Sequence, residues 1–126
     1  MIIDLLGVLD DGSTPPARLS APDPRTTIRI TRGEDVTIRL RVVTPSGREV
    51  ALAGTSVVMT VKKRPQDSKV FDKTATLDAI TIIPADTKNM DPGKWMFDIW
   101  LTKDGKRDPV VPLSTLILEA TSTPVP

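Results

Sequence analysis

Paired carboxylates are the one catalytic arrangement this 126-residue chain offers: Asp86 with Asp91, and Asp10 with Asp11. Two such groups held about 5–10 Å apart in a cleft can hydrolyse a glycosidic bond. Residue type excludes most other chemistry. With no histidine and no cysteine, there is no Ser-His-Asp or Cys-His nucleophile, no zinc site of the usual ligands, no disulfide and no histidine-ligated haem. Calcium takes several oxygen ligands, and Asp86, Asn89 and Asp91 are candidates for it. Their spacing departs from the EF-hand loop, and no bidentate glutamate follows. The aspartates stand in turn contexts, where a carboxylate accepts hydrogen bonds from the local backbone. A structural role is therefore expected for them, with no catalytic residue, no metal and no cofactor.

Binding chemistry is limited in the same way. Lys and Arg number 17 against 16 Asp and Glu, so the near-neutral chain lacks the field that draws a protein to nucleic acid. Arg29, Arg39 and Arg41, with Lys62, Lys63 and Arg64, are candidates for a phosphate-binding face. Such a face in a nucleic-acid reader is usually interleaved with exposed aromatics. The aromatics here are Phe71, Trp95, Phe97 and Trp100 alone. No apolar run approaches the length that spans a bilayer, so no membrane partner is expected. The N-terminus lacks a basic region and carries Asp4 inside its apolar stretch, unlike a secretory signal.

Strands must position these residues. From Thr27 onward the hydrophobic period is two, over 27–31, 36–42, 57–62, 70–74, 79–83, 95–101 and 110–120. Asp104-Gly105 marks a two-residue hairpin of the type I′ kind, since both positions must tolerate positive φ. Pro112 predicts an edge or a bulge where the last strand begins, because proline cannot donate to a ladder. Residues 86–90 have room for one short helical turn. About seven strands with regular turn signals predict an all-β, immunoglobulin-like antiparallel sandwich over residues 27–121, followed by a tail, 122–126. Register places Ile28, Ile30, Val36, Ile38, Leu40, Val42, Val57, Met59, Val61, Trp95, Phe97, Ile99 and Leu101 inward. Arg29, Arg39, Arg41, Met96, Asp98 and Trp100 then face outward.

Residues 1–26 read differently. Four prolines (Pro15, Pro16, Pro22, Pro24) follow a short apolar head, which predicts an extended arm with no core of its own. Ile2, Ile3, Leu5, Leu6, Val8 and Leu9 need a surface on which to bury, on their own domain or on a neighbour. An outward Trp100 beside Met96 likewise makes an apolar patch that a lone monomer rarely leaves bare. These eight residues are the expected interface.

Several stretches together resemble one family: Arg32-Gly33-Glu34-Asp35 running into Val36-Thr37-Ile38-Arg39-Leu40; Val50-Ala51-Leu52-Ala53-Gly54-Thr55-Ser56-Val57; and Met90-Asp91-Pro92-Gly93-Lys94-Trp95-Met96-Phe97-Asp98-Ile99 before Lys103-Asp104-Gly105. They resemble the immunoglobulin-like N-terminal domain of bacteriophage baseplate upper proteins, over roughly residues 27–121. The resemblance implies a non-enzymatic virion module that packs against other virion proteins and copies of itself as a homo-oligomer. The chain departs from those proteins in its N-terminal arm and in ending at Pro126 without a coiled coil or receptor-binding region. A head decoration, collar or small tail protein suits it as well as a baseplate component. The alternative function is a carbohydrate- or host-surface-binding adhesin acting through loops 44–48, 65–69 and 103–108, which carry no aromatic residue.

Overall fold

The computed structural model describes residues 1–14 and 25–120. The expectations for the four arm prolines and for the tail 122–126 lie outside the described residues. Strands run in the order β1 (Ile2–Val8), β2 (Thr27–Thr31), β3 (Val36–Val43), β4 (Glu49–Val50), β5 (Ser56–Lys62), β6 (Phe71–Thr74) and β7 (Ala79–Ile82). A single helical turn, α1 (Pro84–Thr87), precedes β8 (Gly93–Lys103) and β9 (Lys106–Glu119). One sheet is built on β3, flanked by β1 on one side and by β4 and β7 on the other; the second has the order β2-β9-β8-β5-β6.

The all-β sandwich expected from the period-two pattern is what the chain forms. All seven expected strands are present, and among the described residues β1 and the two-residue β4 bring the number to nine. The alternation works as a sorting rule. Every residue assigned inward from Ile28 to Leu101 is buried, and Val36, Ile38, Met59, Val61, Phe97 and Ile99 are wholly so. Phe71, at the margin of the core, is only partly buried.

The sheets are mixed rather than purely antiparallel. β1 runs parallel to β3, pairing Ile2 with Thr37 through Val8 with Val43. β2 runs parallel to β9, pairing Thr27 with Thr115 through Thr31 with Glu119. Parallel partners cannot be joined by a hairpin and need a long excursion between them. Here β2 lies in the opposite sheet between β1 and β3, and β3 through β8 lie between β2 and β9. Side-chain alternation is the same in parallel and antiparallel strands, so the pattern alone does not reveal the difference.

Local rules fix the remaining geometry. Asp104 and Gly105 take φ of 52° and 79°, the type I′ turn, and close the hairpin with Lys103 opposite Lys106. The β8–β9 register then slips between Phe97 and Trp100. Extra residues on β9 fall in the stretch from Pro109 to Ser114, which holds the predicted irregularity at Pro112. One result is that the consecutive Val110 and Val111 are both buried. At α1, proline begins the turn and the Asp86 carboxylate accepts the Ile83 N–H at 2.9 Å.

Candidate functional site

The structure places the eight expected interface residues in two groups on different sheets. In β1, Leu5 points into the core and is buried, while Ile3 and Leu9 pack on the core margin. Gly7 comes so close to β9 that a Cβ there would lie 3.2 Å from both Val110 Cβ and the Val110 carbonyl. The strand is tied at both ends: Thr37 N–H donates to the Met1 carbonyl and Leu9 N–H to the Val43 carbonyl, each at 2.9 Å. Ile2 and Leu6 stay 62% and 37% exposed, and Val8 is half-buried. Residues 2–8 therefore lie on their own domain, yet three of their five apolar side chains, Ile2, Leu6 and Val8, remain unused by its core.

Beyond β1, Asp10 and Asp11 form successive Asx turns. Gly12 N–H donates to Asp10 and Ser13 N–H to Asp11, at 3.0 and 2.9 Å. The Ser13 hydroxyl and its backbone N–H hold the Asp11 carboxyl below the usual carboxylate range. Ser46 N–H donates to the Ser13 hydroxyl and Arg48 pairs with Asp11, which fastens this segment to the β3–β4 turn.

The second group lies on the outer face of the five-stranded sheet. Trp100 stands between Val58 and Pro109, and Met96 between Lys62 and Thr115. Trp100, Met96, Val58 and the outward Ile117 are all half-buried. The Arg107 guanidinium lies over the Trp100 ring, 4.3 Å from its centroid. Sequence reasoning missed Arg107. The Asp104-Gly105 turn held the signal, because its register puts Arg107 opposite Thr102 and so diagonal to Trp100. Trp95 is the core anchor expected of it: its Nε1 donates to the Asp91 carbonyl at 2.9 Å, and Lys63 Nζ lies 4.5 Å from its ring centroid.

Of the candidate catalytic and metal-binding groups, Asp86 has a structural occupation and Asp91 does not. Asp86 is mostly buried, accepts from the Ile83 N–H and pairs with Lys73 at 2.8 Å. Asp91 is exposed, and its backbone carbonyl rather than its carboxylate holds Trp95. Among the described residues, no group of three or more acidic side chains is placed to hold a metal ion. The basic candidates are dispersed: Arg39 and Arg41 lie on β3, paired with Asp4 and Glu49, while Arg29 lies on the other sheet beside Glu119. A depression of about 290 Å³ at one end of the sandwich is lined by Leu9, Asp10, Asp11, Lys103, Asp104 and Asp108, among others. Its charges are mixed and it has no aromatic wall.

No family model matches this chain, and no curated protein matches it. Among solved structures it is similar to the N-terminal domain of phage TP901-1 ORF48, with a TM-score of 0.43 and 12% identity over 94% of this chain and 99% of that one. It is also similar to the cysteine protease inhibitor EhICP2 from Entamoeba histolytica, with a TM-score of 0.35 and 12% identity over 92% and 97%.

Proposed function

We propose that this chain is a non-enzymatic structural component of a bacteriophage virion, made in the bacterial cytoplasm. It belongs to the tail, the baseplate, or a head decoration or collar layer. It assembles through its N-terminal strand and the outer face of its five-stranded sheet, on neighbouring virion proteins and on copies of itself. The observation that carries the reading is the placement of the apolar side chains that the core leaves over. Ile2 and Leu6 project from β1, and Met96, Trp100, Val58 and Ile117 share one outer face. Apolar surface gathered in this way marks contact with other proteins. Of the candidate carboxylates, Asp10, Asp11 and Asp86, by contrast, are engaged by local backbone and lysine partners. The resemblance of residues 27–121 to baseplate upper protein domains supplies the virion setting.

The test is incorporation. A tagged copy, expressed while the genome encoding this chain produces particles, should co-sediment with the purified virions. Trp100→Ser should reduce that incorporation while leaving the fold intact by circular dichroism. A chain absent from the particles overturns the virion assignment, and undiminished incorporation of Trp100→Ser removes the outer face from the interface.

A further inference from the structure

Strand edges in natural sheets are usually blunted by shortness, by lysine or proline, or by cover, because a bare edge templates pairing with another chain. Most edges of this sandwich obey the rule. β4 has two residues; β6 and β7 have four each, and β6 carries the ion-paired Asp72 and Lys73. β2 has five residues and presents Arg29. β1 differs, with seven residues and neither lysine nor proline. Its single charge, Asp4, is paired with Arg39 at 3.0 Å.

The bonds at its two ends fix which backbone groups are free. The Met1 carbonyl accepts from β3, and the Leu9 N–H donates to it. Along a parallel ladder, bonding alternates residue by residue, so odd positions of β1 serve β3. Ile2, Asp4, Leu6 and Val8 turn their N–H and C=O groups away from it, and among the described residues these groups have no backbone partner. Two of the same residues carry the exposed apolar side chains, Ile2 and Leu6.

We propose that this edge pairs with β1 of a second copy of the chain, antiparallel, about a two-fold axis at Leu5. The proposal rests on the assembly reading above and gives it a homotypic contact. Charge selects the register. With the axis at Leu5, Ile2 faces the partner's Val8 and Asp4 faces the partner's Leu6, so all four outward residues join opposed pairs that exchange both backbone bonds. Across the joined sheet, Arg41 (itself ion-paired to Glu49), Leu6, the partner's Asp4 and the partner's Arg39 form one row in which no like charges adjoin. An axis one residue earlier sets Asp4 against the partner's Asp4, and like charges directly opposite are destabilising. An axis one residue later leaves Ile2 without a strand partner. Symmetric pairing of one patch with itself is the usual way two identical chains close.

Light scattering of the purified full chain should give twice the chain mass. Leu6→Pro removes only an outward N–H and should halve that mass while leaving the thermal transition of the sandwich in place. The chain has no native cysteine, so cross-linking reads the register independently. An oxidised mixture of Asp4→Cys and Leu6→Cys proteins should give a covalent heterodimer, because opposed residues of this kind lie about 5.5 Å apart between Cα atoms. Asp4→Cys alone should give none. A monomeric parent, a Leu6→Pro protein that stays dimeric, or an Asp4→Cys homodimer as abundant as the mixed one overturns the proposal. A monomer that still enters particles defeats the edge pairing and spares the virion reading; a dimer absent from particles does the reverse.

Discussion

Arg107 lies over the indole of Trp100, its guanidinium carbon 4.3 Å from the ring centroid. The two reach each other because the Asp104-Gly105 turn sets the β8–β9 register, and with it the diagonal across the hairpin. The outward indole face is thus shielded by its own arginine. Any neighbour that docks here meets a flat cationic group stacked on an aromatic ring.

Arg107→Ala removes that shield. The folded state should lose about 0.5–1 kcal/mol, the range for a cation–π contact near solvent. Acrylamide should quench tryptophan emission more strongly than in the parent, because Trp95 remains in the core and Trp100 alone gains access. Equal quenching in the two proteins would show that something other than Arg107 covers the ring.

Gly7→Ala tests the seam between β1 and β9. The added carbon would meet Val110 at 3.2 Å through both a side-chain and a backbone atom, so the seam must give by a few tenths of an ångström. Overpacking of this kind costs about 1–3 kcal/mol, and the melting temperature should fall by several degrees. Gly12→Ala gives the contrasting case. There a Cβ meets nothing within 4 Å, and the cost comes only from the backbone at φ +81°.

Asp86→Ala should destabilise the fold by about 1–3 kcal/mol, since the cap on the Ile83 N–H and the Lys73 ion pair are lost together. Asp86→Asn keeps an acceptor for the Ile83 N–H and should cost less. Thermal melts of the two variants separate the cap from the charge. An Ala variant as stable as the parent would leave Asp86 without its structural role and reopen it as a residue kept for chemistry.

Acid should weaken the fold through Asp11 and Asp72. Ser13 holds the Asp11 carboxyl below its ordinary value, and the hydrogen bond and charge of Lys69 do the same for Asp72. A depressed folded-state pKa contributes stability above the unfolded value and loses it as pH falls through the folded one. Denaturant midpoints should therefore be flat near neutrality, begin to decline as pH enters the ordinary carboxylate range, and go on falling below it. Asp72→Asn should shallow that decline, and added salt should mimic some of the effect by screening Lys69.

Most of the sandwich was legible because a strand with one buried face writes its period into the side chains, as Val36 to Val42 and Trp95 to Leu101 do. β1 was legible only as an apolar stretch in search of a surface. Its apolar residues fall at positions 2, 3, 5, 6, 8 and 9, a doublet pattern that names neither period, and its partner β3 is more than thirty positions away. Parallel pairing leaves no local mark at all. The interface residues divided accordingly: outward Met96 and Trp100 followed from alternation, whereas the fate of Ile2 against Leu5 needed the β3 register. The short helical turn expected over 86–90 forms at Pro84–Thr87, and Asp86's hold on Lys73 depends on β6 arriving beside it, which composition does not encode.

The parallel pairing of β2 with β9 also decides how the domain carries tension. Residues 27–31 and 115–119, far apart in the sequence, lie side by side, pointing the same way. A pull applied at Thr27 and Glu119 in opposite directions drags the two strands lengthwise past each other, loading the bonds of this ladder together. A hairpin pulled at its open end would instead unzip, its bonds breaking in succession. The sandwich is therefore braced against a load applied between the start of β2 and the end of β9.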